Sequence, residues 1–429
     1  MTDPQQVSST SSHPPAKPSL AVVERTIPLD VWILVIDASA GDTLTLKAFA
    51  VTRKDFLHRS RFHLFRRVTV RPEGNAYHLA ALLERETYIR AAVRELVVCS
   101  AATGSQWITD ALLTLLPMLC ELRKLELQSL SLADPALLKA LSRARHSVSQ
   151  LEVVDCTVAS FGDVVRTLLV LPRVNDLNLR TLRCGSSSLS RQAANWHKDL
   201  QSLNVLGTSI SLSALSIESD VPTTISMGIP RFILWLGQKT RTVSSLRNLV
   251  LFDAQDWFST RHEAYEALAQ FSKLESLIIR LTMNNSESVF QAHLGNTFKL
   301  SRLPSLKLIA VLGIPTTRIA HCVALLSSVA PAILTGLLLQ IIIPDAQRVK
   351  DNSIAELPEL AALNPVMRSP QFSALKWFNI RCALLTSTDQ IGHITFKRVK
   401  CRDYILKNCL PDVDPKLWTC EFEGASTET

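Results

Sequence analysis

Glycine is scarce in this chain. Only 13 of 429 residues are glycine, and no two stand at the separations of G-x-G-x-x-G, G-x-x-x-x-G-K or G-x-S-x-G. That removes the loops that cradle phosphates and the elbow that presents a nucleophilic serine. Paired cysteines are missing too. The nine cysteines, an odd number, contain no C-x-x-C and no Cys/His group at zinc-ligand spacing, a pattern expected of a reducing compartment. Residues 1–22 are rich in Ser, Thr, Pro and Gln without an apolar core, so a disordered tail is expected there and neither a signal peptide nor an anchor. The net charge of +8 gathers at Arg53, Lys54, Arg59, Arg61, Arg66, Arg67 and Arg71, and again at Lys397, Arg398, Lys400 and Arg402. No interleaved aromatics accompany these clusters, so solvated faces are expected and no nucleic acid. Charge is absent from Ile319 to Pro344, long enough to suggest a membrane span. Pro331 breaks that run, however, and the expected outcome is a buried helix from Ile319 to about Ala330 followed by a core strand, with no membrane contact.

What the chain does have is a recurring apolar-x-x-apolar-x-apolar pattern. Its clearest copies are Leu122/Leu125/Leu127, Val148/Leu151/Val153, Val174/Leu177/Leu179 and Leu200/Leu203/Val205, each ending 26 residues after the last. One copy means little, because a chain that is 47% apolar produces the pattern at about one position in ten by chance. The fixed step carries the signal. Further copies are Phe65/Val68/Val70, Val93/Leu96/Val98, Leu246/Leu249/Leu251, Leu274/Leu277/Ile279, Leu303/Leu306/Leu308, Leu334/Leu337/Leu339 and Leu375/Phe378/Ile380. A leucine-rich repeat of roughly 20–29 residues is one strand and one return, which buries its apolar face only by stacking on neighbours. The fold class expected is therefore α/β, a leucine-rich-repeat solenoid with a curved parallel sheet. Cys156 follows Val153 where such repeats carry Asn or Cys, and a small buried apolar role is expected for it.

Ahead of the repeats, residues 24–64 read as three short helices. Pro28 suits a first helical turn, Asp30 adds a favourable charge there, and Leu29, Trp32, Ile33 and Ile36 form one apolar stripe. Val31 and Val35 widen the stripe beyond what so small a unit can cover. Asp42 or Thr43 caps a second helix, Leu44 to about Thr52, with Leu46, Phe49 and Ala50 inward. A third, Asp55 to about Ser60, presents Phe56 and Leu57. The unit has two readings, a cap that seals the first repeat or an interface for a partner.

The stretches Ile27–Ile36, Ala50–Arg61 and Leu64–Val70 resemble an F-box, and more narrowly the fungal F-box proteins that continue into C-terminal leucine-rich repeats. By that resemblance Ile27 and Pro28 match a Leu-Pro start and Asp30 its acidic residue. Leu29 lies within the same start, Val31, Trp32, Val35 and Ile36 match the first helix's apolar positions, and Val51 and Phe56 match later anchors. Arg53 stands where relatives often have Cys, so its guanidinium must reach outward or find an acid. The resemblance implies a substrate adaptor of an SCF ubiquitin ligase, binding a Skp-type linker protein, and through it a cullin, by the helices and a protein target by the repeats. The expected layout is a tail over 1–22, a helical F-box-like domain over 23–64, a solenoid over 65–400 and a C-terminal cap and tail over 401–429. No catalytic residue, cofactor or metal is expected, and the compartment is cytoplasm or nucleus. Between the inward pair of each strand, Glu126, Glu152, Asn178, Asn204, Val250, Ile278 and Lys307 are the positions expected to read the target. Rival readings are a repeat scaffold without a ligase role and a GTPase activator that uses Arg183 or Arg280.

Overall fold

The computed structural model describes residues 27–71, 74–100, 106–184, 210–218, 228–252, 268–280, 303–315, 319–329, 334–343, 358–384 and 418–424, with Leu410 and Lys416. The expected tail over 1–22 lies outside them. The chain divides into two compact units, Met1–Leu64 and Phe65–Thr429.

In the first unit, helix α1 (Leu29–Ala38) starts directly after Pro28, whose carbonyl accepts from the N–H groups of Val31 and Trp32 at 3.1 and 3.3 Å. Helix α2 (Thr43–Thr52) is capped by Asp42, whose Oδ1 accepts from the Leu44 and Thr45 N–H groups at 3.0 and 3.1 Å. This satisfies two of the donors that a helix start leaves unpaired. Helix α3 (Lys54–Leu64) runs one turn further than its apolar residues suggest. Its last turn is held by polar contacts. Asp37, at the end of α1, receives Arg59 Nη2 at 2.7 Å and sits 2.8 Å from His63 Nε2. The Arg59 hydrogen bond holds the Asp37 carboxyl down at about 2. The core of this unit is small: Ile36, Leu46 and Phe56 are buried, with Trp32, Phe49 and Leu64 packed around them. Its centre is a ring triangle, Trp32 to Phe56 at 5.3 Å, Phe49 to Phe56 at 6.0 Å and Trp32 to Phe49 at 6.1 Å.

The second unit is α/β and solenoid-like. Among the described residues, twelve strands form one sheet in sequence order, every neighbouring pair parallel. They are β1 (Arg67–Val70), β2 (Glu95–Cys99), β3 (Lys124–Gln128), β4 (Gln150–Val154), β5 (Asp176–Arg180), β6 (Ala214–Glu218), β7 (Asn248–Phe252), β8 (Ser276–Arg280), β9 (Leu308–Pro315), β10 (Gly336–Ile343), β11 (Trp377–Leu384) and β12 (Trp418–Gly424). Parallel neighbours need a crossover, and helices supply several of these: α4 (Gly74–Arg85), α5 (Thr87–Ala92), α6 (Gln106–Leu115), α7 (Pro135–Leu141), α8 (Phe161–Val170), α9 (Gly228–Lys239) and α10 (Ile319–Ser327). Successive helices pack on one another, α4 on α6, α6 on α7 and α7 on α8.

Between residues 122 and 182 the repeat is nearly exact. Leu125 pairs with Leu151 and Leu151 with Leu177, and Leu127, Val153 and Leu179 stack beside them, all buried. Each strand then turns through one residue with positive φ, Ser129 (57°), Asp155 (56°) and Thr181 (49°), which delivers Leu130, Cys156 and Leu182 into the same core. The turns are tied across repeats, Ser129 N–H to Val154 O at 2.9 Å, Asp155 N–H to Arg180 O at 3.0 Å and Thr181 N–H to Glu218 O at 2.9 Å. Each unit thus hydrogen-bonds and buries its neighbour.

Three placements differ from the sequence register. Residues 203–205 lie outside the described residues, and β5 pairs directly with β6 through Asp176↔Ala214, so the strand after 176–180 is 214–218. It carries its own copy of the pattern, Leu212/Leu215/Ile217, all buried. Secondly, Leu277 pairs with Ile309, which moves the expected copy Leu303/Leu306/Leu308 to Leu306/Ile309/Val311. Thirdly, β12 extends the sheet beyond Ile380, pairing Phe378 with Trp418. The uncharged run becomes helix α10 and then strand β10. No helix among the described residues is long and apolar enough to cross a membrane.

Candidate protein-interaction surfaces

Helix α1 is apolar on two opposite faces, and only one of them finds a core. Trp32, Ile33 and Ile36 turn inward, while Val31, Leu34 and Val35, at i, i+3 and i+4, form a stripe 45%, 67% and 41% exposed. On α2, Leu44 and Val51 are 78% and 87% exposed at a separation of seven, so they too share a face. Seven of the nine large apolar side chains exposed among the described residues, Ile27 and Leu29 with these five, belong to this small unit. Scattered exposed apolar residues are ordinary, whereas a stripe that outnumbers its own core is not.

The ten residues expected to bind a partner therefore separate. Ile27, Pro28, Leu29, Asp30, Val31, Val35 and Val51 lie exposed. Ile36 and Phe56 are buried and Trp32 is packed between Phe49 and Phe56, so these three build the core. Leu34 and Leu44, outside those ten, lie exposed on the same helices. Arg53 finds its acid within the unit, Nε to Asp55 Oδ2 at 3.0 Å, with its guanidinium 5.6 Å from the centre of the Phe56 ring.

In the sheet, alternate side chains enter the core and the others line the opposite face. On that open face the first strands carry a charged network. Lys124 Nζ lies 2.6 Å and Arg180 Nε 3.3 Å from Glu152, Arg67 Nη2 is 3.0 Å from Glu126, and Gln128 also bonds Glu126. Glu126 and Glu152 are largely buried by these partners. Both acids are thus already engaged, which leaves them little to offer a target. Asn178 does approach Glu152, at 3.4 Å, and Val250 and Ile278 line the open face as expected. Asn204 lies outside the described residues. Lys307 precedes β9 and bonds Glu275 at 3.1 Å, because the three-residue shift in register gives its place to Ala310.

The remaining candidates have structural employment. Cys156 is fully buried, donating to Leu127 O at 3.3 Å, and burial pushes its thiol up to about 12. Arg183 is bound to Asp155, with Nη2 to Oδ2 at 2.6 Å. Arg280 ends β8 exposed. No group of three or more His, Cys, Asp or Glu able to hold a metal occurs among the described residues.

No family model and no curated protein matches this chain. Among solved structures, it is similar to a structural-genomics protein from Bacteroides fragilis at 11% identity, over 83% of this chain and 73% of that one. The TM-score is 0.29, too low to carry an argument about fold or function.

Proposed function

We propose that the chain is a non-catalytic substrate adaptor of an SCF-type ubiquitin ligase, its three helices an F-box that binds a Skp-type linker and its leucine-rich repeats the surface that holds a protein target. One observation carries the reading. Residues 27–64 bury three apolar side chains and leave seven large ones exposed, an imbalance that a partner relieves. The resemblance of Ile27–Ile36, Ala50–Arg61 and Leu64–Val70 to an F-box supports the choice of partner, and a long parallel sheet supports a recruiting surface.

The test is binding of purified full-length protein to a Skp-type linker. Val31→Asp combined with Val51→Asp places two charges on the exposed faces, and association is expected to fall at least a hundredfold, since two lost anchors cost on the order of 3 kcal/mol or more. Neither substitution touches the ring triangle, so helix content stays at the wild-type value. Arg53→Cys, which frees Asp55, reads whether the guanidinium borders the interface. Absence of any wild-type association, under conditions where an established F-box protein binds, refutes the adaptor reading and leaves a repeat scaffold.

A further inference from the structure

Along the open face of the sheet the chemistry changes. Strands β2 to β6 place five acids there, Glu95, Glu126, Glu152, Asp176 and Glu218, whereas the open-face positions of β7 to β11 hold none. Glu126 and Glu152 are consumed by Arg67, Lys124 and Arg180. Asp176 is different: its carboxylate is half-buried, and Lys124, the cation that acts on it, already bonds Glu152 at 2.6 Å. Burial raises its pKa, with the neighbouring Glu152 adding to the effect, so a further cation at this point is favoured.

Beyond it one row of the face is apolar, flanked by Asn248 and Ser276 on one side and by Arg280 and Gln340 on the other. Val250, Ile278 and Leu338 lie half-buried on β7, β8 and β10. At the far end the Trp377 indole is laid on the backbone of Gly336, its register partner, where any added Cβ would come within 2.4 Å of the ring. Gly336 thus allows the ring to lie down, and Trp377 remains 44% exposed. That row continues from Leu338 to Asn379, and the aromatic surface two residues along the strand from it is suited to the side chains of an extended peptide.

Resting on the adaptor reading, the geometry points to a target segment that crosses the strands in extended form, with a lysine or arginine at Asp176 and apolar side chains over Val250, Ile278 and Leu338 toward Trp377. Strands are about 4.8 Å apart, and Val250 stands two residues along β7 from Asn248, which is in register with Asp176, so the two positions lie roughly 12 Å apart, about three to four extended residues. The recognised motif is therefore a basic residue three or four positions from an apolar run.

The probe is a displayed random-peptide library panned on the immobilised full-length chain. Enriched peptides are expected to carry that motif, and a synthetic copy is expected to bind at least tenfold more weakly to Ile278→Glu and to Asp176→Lys. Exchanging the peptide's basic residue for glutamate is expected to restore binding to Asp176→Lys, a rescue that a misfolded variant cannot give. No enrichment, enrichment without the basic residue, or binding indifferent to both substitutions overturns the assignment. Linker binding is measured on the same variants. Its retention when peptides fail isolates the error to this face, and its loss with peptides retained isolates the error to the adaptor reading.

Discussion

Phe56 decides whether the first unit is understood. It is 4% exposed and lies between Trp32 and Phe49 at ring distances of 5.3 and 6.0 Å, in a core with three buried apolar side chains among the described residues. Phe56→Ala removes the largest of the three. Such truncations cost about 3–5 kcal/mol through lost transfer energy and the cavity left behind, and the two ring contacts place this one at about 4 kcal/mol. A single core of this size supplies on the order of 3–5 kcal/mol in total. The variant should therefore open α1 to α3 while the strands stay folded, because the repeats keep a separate core. Hydrogen exchange resolved by peptide reads this directly. Backbone amides of 44–64 are expected to lose nearly all protection, up to roughly a thousandfold, with those of 124–180 unchanged. Val51→Ala is the contrast, since that side chain is 87% exposed and its loss should change protection by less than about 0.5 kcal/mol. Wild-type protection of α2 and α3 in the Phe56 variant would refute the assignment of core and surface.

Asp163 is fully buried at the start of α8, accepting from the N–H groups of Ala159 and Ser160 at 2.7 and 3.2 Å and from Arg166. Asp163→Ala should lower the stability of the repeat unit by about 3 kcal/mol, and Asp163→Asn by about half that, in urea titrations. Ser129 is exposed with φ at 57°, a conformation costing a non-glycine residue about 1–2 kcal/mol, so Ser129→Gly should be neutral to about 1 kcal/mol stabilising by melting temperature. In the first unit the folded pKa of Asp37 lies at about 2, below its ordinary 3.8. Its contribution is therefore present above about pH 4 and lost as pH falls through 2, so exchange of 29–64 should accelerate over that window in wild type and not in Asp37→Asn.

Where the pattern is exact, the strands were legible from the chain. A step of 26 between Leu127, Val153 and Leu179 reflects three units with the same positive-φ turn at Ser129, Asp155 and Thr181, so spacing and geometry coincide. The fourth copy misled for the same reason. Leu200/Leu203/Val205 continues the step, while Leu212/Leu215/Ile217, which forms the strand, breaks it by twelve residues. Periodicity favours the first, and only pairing to Leu177 selects the second. Strand β12 escaped because Pro415 occupies the first apolar position ahead of Trp418 and Cys420.

The division of residues 27–64 was less legible, for a physical cause. Helix α1 reads Leu-Asp-Val-Trp-Ile-Leu-Val-Ile, apolar at i, i+3, i+4 from Val31 as well as from Leu29. A helical wheel weighted by hydrophobicity cannot rank two such faces. What ranks them is shape: Trp32 fits the gap that Phe49 and Phe56 leave, and the β-branched Val31 and Val35 on the opposite side do not. Once the tryptophan enters, helix geometry sends Val31, Leu34 and Val35 to the outside. The same choice that builds the core thus creates the exposed stripe, and a sequence that wanted only a cap would have placed polar residues there. That stripe is what supports the proposed interface, and the binding test therefore rests on Val31 within it and on exposed Val51 of α2 rather than on Trp32.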